Sequence, residues 1–199
     1  MSNHDTYVVD LDSLWRDRVT FPNPANYTVD PTNITSWLKH TQRSICVEPC
    51  KPAPSYLSCI RLTSLILPYD PIVANAAKLY VDYHSVGKNP IQSISTIGNH
   101  LGEAKFVVTY QKTQYSSTGE PIWLHYCPVN TQMMEYSRDM PVHFAVYSRD
   151  GEVLTNYIDP DPTLPADPAR QILATFEITP HFKRVPLDST FACLSGACN

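Results

Sequence analysis

Residues 8–29 read Val8-Val9-Asp10-Leu11-Asp12-Ser13-Leu14-Trp15-Arg16-Asp17-Arg18-Val19-Thr20-Phe21-Pro22-Asn23-Pro24-Ala25-Asn26-Tyr27-Thr28-Val29. A short apolar run leads into acids alternating with arginines, then Phe21 and Pro22-Asn23-Pro24, before Tyr27-Thr28-Val29 returns to residues that favour extended backbone. Two prolines one residue apart can neither continue a helix nor sit in a central strand. They predict an extended, turn-rich strap. The Asp/Arg run is too charged for a core and too evenly mixed in sign for a nucleic-acid tail. Residues 1–30 are therefore expected to form an arm that lies along a surface, its own domain's or a neighbour's.

The charged run admits two readings. In one the arm is solvated and its ion pairs are local, each worth ~0–1 kcal/mol when exposed. In the other Arg16 and Arg18 make bidentate contacts to carboxylates of a neighbouring subunit, while Asp10, Asp12 and Asp17 accept reciprocal bonds. The Pro22-Asn23-Pro24 strap favours docking, because a pre-stiffened segment loses less entropy when it binds.

Working outward, the remaining chain reads as one domain, residues 31–185, with a small polar tail, 186–199. A chain of 199 residues with 43% hydrophobic and 11% aromatic residues can bury a sizeable core. Eighteen prolines against six glycines mean many short segments with stiff connections, which suits an all-β fold and argues against a helical bundle. A formal charge of −4 with 15 Lys+Arg lacks the electrostatic footprint of a nucleic-acid binder. The first residues are polar with no apolar segment behind them, so no signal peptide is expected. No run approaches the ~18 apolar residues of a membrane span.

Strands are expected over 55–67 (stopped by Pro68), 77–84, 104–115, 121–127, 130–136, 140–147, 152–157 and 172–179 (stopped by Pro180). In the first, Leu57, Cys59, Arg61, Thr63, Leu65 and Leu67 share one face, and Tyr56, Ile60, Leu62 and Ile66 the other. The second alternates strictly and predicts a half-exposed strand, with Leu79, Val81 and Tyr83 inward and Lys78, Tyr80, Asp82 and His84 outward. Ser116 to Gly119 is a turn, and Asp150-Gly151 is a strong hairpin signal. Residues 31–40 are ambiguous, 46–54 form a proline-rich loop, and 85–102 a long loop. Pro160, Pro162, Pro165 and Pro168 stiffen an exposed loop, the best candidate for a rigid contact knob. About eight antiparallel strands with no long helix is the count of a two-sheet sandwich.

Gly-x-Ser-x-Gly, His-Glu-x-x-His, a Walker loop and Gly-x-Gly-x-x-Gly are all missing from the sequence. The seven histidines include no His-x-His of the kind that holds metal in cupins, although His125 and His143 fall on expected strands and could meet across a sheet. Tyr80, Tyr110, Tyr115 and Tyr126 could offer sugar-stacking faces, with sheet packing and subunit contact as the plainer use. Cys46, Cys50, Cys193 and Cys198 form two close pairs whose spacings do not fit a zinc knuckle. They are expected to be free thiols, or local disulfides formed in an oxidising environment. No enzyme activity, metal or cofactor is expected.

The pattern Asp12-Ser13-x-x-Arg16-Asp17-Arg18-x-x-Phe21-Pro22-Asn23-Pro24-x-x-Tyr27-x-Val29 resembles the N-terminal signature of single jelly-roll capsid proteins of large icosahedral double-stranded DNA viruses. These are the minor capsid and penton proteins of the nucleocytoplasmic group, algal and giant viruses included. The likeness is close from Val9 to Val29; beyond that it extends only to strand order and spacing. It departs at Leu14-Trp15, where the pattern is more polar. The resemblance selects a single eight-stranded antiparallel jelly-roll sandwich with an extended N-terminal arm over an immunoglobulin-like topology. It implies a virion protein assembled in the host cytoplasm, acting by self-assembly beside a double jelly-roll major capsid protein, with other minor capsid proteins as further partners. Asp10, Asp12, Arg16, Asp17, Arg18, Phe21, Pro22, Asn23, Pro24 and Tyr27 would be the docking residues. A short arm with almost no insertion fits a homopentameric penton better than a cement protein, and both stay open. The alternative is a carbohydrate-binding or cupin-like module.

Overall fold

The computed structural model describes residues 6–29, 56–86, 106–129, 131–136 and 140–180. Its elements in chain order are β1 (Tyr7–Asp12), β2 (Asn26–Val29), β3 (Tyr56–Pro68), a short helix α1 (Pro71–Ala74), β4 (Lys78–Ser85), β5 (Phe106–Tyr115), β6 (Pro121–Pro128), β7 (Thr131–Tyr136), β8 (Val142–Tyr147) and β9 (Leu173–Pro180).

The pairing is nested. β4 pairs β5, β3 pairs β7, β2 pairs β8 and β1 pairs β9, all antiparallel, as in one long hairpin folded around itself. The cross-pairs β3–β9 and β4–β8 gather the nest into two layers, β1-β9-β3-β7 and β2-β8-β4-β5. This is jelly-roll connectivity, and the fold is all-β. β6 is an addition: it returns from β5 and takes the end of β3, Leu65 to Pro68, tying both layers into one curled, nine-stranded sheet. Between the layers Tyr83 of β4 stacks on Phe176 of β9 at 4.1 Å, and Phe106 and Phe144 meet Phe176 edge-on.

Local chemistry explains most elements. Asp70 caps α1 by accepting from the backbone N–H groups of Ile72 and Val73, and Pro71 is pre-set for its first turn. Gly119 and Gly151 adopt φ of 84° and 85°, the left-handed region their turns need.

Several expectations are corrected. Residues 6–29 are not set apart from the domain: they supply β1 and β2, the outermost strand of each layer. The face assignment in β3 fails halfway, because a bulge between Leu62 and Ser64 shifts the phase. Ile60, Leu62, Leu65 and Leu67 consequently all enter the core. β4 is not half-exposed, since Tyr80 and Asp82 on its outer side are buried too. The return strand expected at 152–157 shrinks to one bridge, Tyr147 to Val153. There the chain turns inward: Leu154 and Tyr157 are buried, and the Tyr157 hydroxyl donates to the Pro68 carbonyl at 2.9 Å. The ambiguous stretch 31–40, the loop 46–54, Cys46, Cys50, Cys193, Cys198 and the tail 186–199 lie outside the described residues.

Candidate functional site

The charged run lies in the link from β1 to β2. Asp12 closes β1 and caps a 3-10 turn, Ser13–Trp15, by accepting from the Leu14 N–H. That turn aims Arg16 inward, where it is buried. All five of its N–H donors are matched. Nε donates to the Phe21 carbonyl at 2.8 Å, Nη1 to the Ser13 carbonyl at 2.6 Å and Gln171 Oε1 at 2.8 Å, and Nη2 to the Pro22 carbonyl at 3.0 Å and Asp159 Oδ2 at 2.6 Å. A planar fork can reach so many acceptors at once; an ammonium cannot.

Arg18 reaches the same carboxylate. Its Nε lies 2.8 Å from Asp159 Oδ2, and its Nη1 donates to the Leu164 carbonyl at 2.6 Å. The Asp159 N–H in turn donates to the Pro22 carbonyl at 3.0 Å. Ser13 adds a second stitch: its hydroxyl donates to Gln171 Oε1 at 2.9 Å and accepts from the Ile172 N–H at 2.8 Å. Asn23 makes a third, donating to the Leu154 carbonyl at 2.9 Å and accepting from the Ala25 N–H at 2.9 Å. The link from β1 to β2 is thereby clasped to the long connection from β8 to β9.

Burial alone pushes the Asp159 carboxyl up, but hydrogen bonds and charge from Arg18 and Arg16 outweigh it and hold the group below its usual range. Burial lowers Arg16, and Asp159 pulls it back. Asp159 therefore stays ionised near neutral pH, one carboxylate facing two guanidinium groups.

The other expected arm residues have separate uses. Asp17 accepts from the N–H groups of Val19 and Thr20 and from the Thr20 hydroxyl, closing a tight turn. Phe21 packs partly against the core, Pro24 and Tyr27 are buried, and Asp10 and Pro22 are exposed. Sequence reasoning judged the charged run too polar for a core, yet Arg16 sits in one with its counter-charge. It also missed Ser13 as an anchor, Gln171, and above all Asp159. Pro160 and Pro165 are exposed and Pro162 half-buried, while Pro168 opens a 3-10 turn (Pro168–Arg170). The loop they stiffen is held at its root by the arm.

His125 and His143 do not converge. His125 contacts Gln114 at 3.1 Å, whereas His143 lies beside His84, whose Nδ1 is 2.9 Å from the buried Asp82. Tyr80 and Tyr126 are buried, and the Tyr126 hydroxyl donates to the carbonyls of Val73 and Ala76. Only Tyr110 and Tyr115 of the four candidate stacking residues are exposed. Among the described residues no helix is long and apolar enough to cross a membrane.

Comparison with protein-family models finds no match, and comparison with curated proteins finds no relative.

Proposed function

We propose that this chain is a structural protein of an icosahedral double-stranded DNA virus capsid, acting by self-assembly and by docking to a double jelly-roll major capsid protein. The penton at the five-fold vertex is the preferred place, and a minor cement role is the second. One observation supports the reading above others. The residues that carry the resemblance, Ser13, Arg16, Arg18 and the Pro22-Asn23-Pro24 strap, are those that clasp the first two strands of the jelly roll to its last connection. A signature that builds the roll's own clasp has a physical reason to recur in single jelly-roll proteins. The clasp spends the Arg16 donors within the chain, so subunit contact falls to the exposed residues around it.

Sedimentation of the purified chain over a wide concentration range tests this, followed by titration with a purified major capsid protein of this type. A pentamer is the outcome expected for a penton. A monomer that binds the major capsid protein moves the assignment to the cement role. A monomer that binds neither itself nor that protein overturns the proposal.

A further inference from the structure

We propose, resting on the self-assembly reading above, that neighbouring copies meet through two unlike surfaces of the roll. One is the ridge beside the clasp, and the other is the outer face of β5 and β6, with Lys78 at the start of β4, on the next copy.

The ridge has three large apolar side chains. Trp15 and Val19 flank the Arg16–Arg18 run at 73% and 75% exposure, and Leu164 at 60% is brought alongside by the Arg18 bond to its carbonyl. Apolar side chains this open on a segment locked by a buried ion cluster form a pre-ordered contact surface, which loses little entropy on docking. Its rim is acidic. Asp17 and Asp161 are exposed, and hydrogen bonds from Thr20 and Thr163 respectively hold both below the usual carboxylate range, so both stay charged.

The second surface has the opposite character. β5 and β6 lie in the middle of the strand order β1-β9-β3-β6-β5-β4-β8-β2, whereas the link that carries the ridge joins its two end strands, β1 and β2. Leu124 and Tyr126 point into the core, which turns Trp123, His125 and Cys127 outward. Neither β5 nor β6 contains an acidic residue, while Lys112 and, at the start of β4, Lys78 are exposed. Burial and the nearby Lys112 lower the His125 pKa. Val129, just past β6, is 63% exposed and adds an apolar contact. An acid-rimmed apolar ridge thus has a basic, partly apolar counterpart on a different surface of the same molecule. Two unlike complementary patches make a heterologous contact, which closes a ring when the rotation between copies allows.

The test uses the full chain with two surface variants. The ridge variant carries Trp15→Ser and Leu164→Ser; the face variant carries Lys78→Glu and Lys112→Glu. Val19→Ser is a second ridge variant, and the melting temperature of each is compared with wild type to confirm folding. Native mass measurement is expected to show each variant associating at least tenfold more weakly than wild type. An equimolar mixture of the two should form a dimer and nothing larger, because one intact ridge then meets one intact face. A wild-type chain that stays monomeric overturns the contact together with self-assembly. A wild-type chain that assembles while both variants keep its mass overturns the contact alone. Variants that lose mass but form no dimer on mixing overturn the pairing of unlike surfaces.

Discussion

The Arg16 guanidinium and the Asp159 carboxylate meet at 2.6 Å, with side chains 0% and 3% exposed, although they stand 143 positions apart in the chain. Closing so long a loop is costly in entropy, and a buried pair must also offset the loss of hydration of both ions. Here the remaining hydrogen-bonding capacity of Arg16 is filled by backbone carbonyls and Gln171, the condition under which such a pair holds. Arg16→Lys keeps the charge but loses the fork. It leaves carbonyls of the strap without donors, and we expect a loss of about 3 kcal/mol, near what breaking a buried pair costs. Urea unfolding with an unchanged slope would measure it.

The same pair sets a dependence on pH. The folded-state pKa of Asp159 lies below its ordinary value. The unfolded chain therefore takes up its proton first as the solution is acidified. The stability contributed is complete above about pH 5 and is lost as pH falls through about 4 and below. Asp159→Asn removes that dependence, so the stability gap between wild type and variant should be widest at neutral pH and close in acid. Added salt should change the gap little, since buried pairs are weakly screened. A gap that stays constant down to pH 2 would show that the carboxylate charge is not what holds the clasp.

Ser13 tests the second stitch. It is fully buried, donates to Gln171 and accepts from the Ile172 N–H. Ser13→Ala leaves that N–H orphaned and should cost about 1–3 kcal/mol. Thr20→Ala removes an exposed hydroxyl that bonds Asp17 within its own turn, and should stay within about 0.5 kcal/mol of wild type. Equal losses at the two positions would deny the clasp any special place.

How much of this could be read from the chain depends on whether the cause is local. Strand positions followed from alternation and from prolines that stop them, and Pro68 and Pro180 do close β3 and β9. The turns at Gly119 and Gly151 were legible because a positive φ needs glycine. What could not be read was set by distant partners. Nothing near Arg16 announces that a carboxylate beyond β8 will neutralise it, so its charge argued for solvent. Val8 and Asp10 alternate with Val9 and Leu11, but the run is short and enters a charged stretch, which hid β1. The bulge in β3 falls in an unbroken β-type run, where one skipped residue leaves no mark. The nested pairing that defines the jelly roll is a relation among strands far apart, and only the resemblance reached it.

Gly119 isolates the backbone term. A Cβ built there meets nothing within 4 Å, so only the positive φ opposes a side chain. Gly119→Ala should cost about 1–2 kcal/mol, and Gly119→Asn less, because asparagine tolerates this region better. Identical losses for the two substitutions would point to a contact in place of backbone strain.

Tyr27 offers the opposite case, a polar atom whose loss should help. Its ring is 1% exposed and lies 5.3 Å from that of Phe144, tilted by 51°. Its hydroxyl finds no hydrogen-bond partner among the described residues. Burial and the nearby Asp12 raise its pKa, so it remains a neutral phenol. A buried hydroxyl without a partner carries a desolvation cost that its ring does not. Tyr27→Phe should therefore leave stability unchanged or raise it by up to about 1 kcal/mol. Tyr27→Ala, which empties the space beside Phe144, should lose about 3–5 kcal/mol. Tyr157→Phe supplies the contrast, because its hydroxyl serves the Pro68 carbonyl, and its removal should cost about 1 kcal/mol or more. If Tyr27→Phe destabilises as much as Tyr157→Phe, the Tyr27 hydroxyl is hydrogen-bonded after all, and the end of the arm is held by more than the packing of its ring.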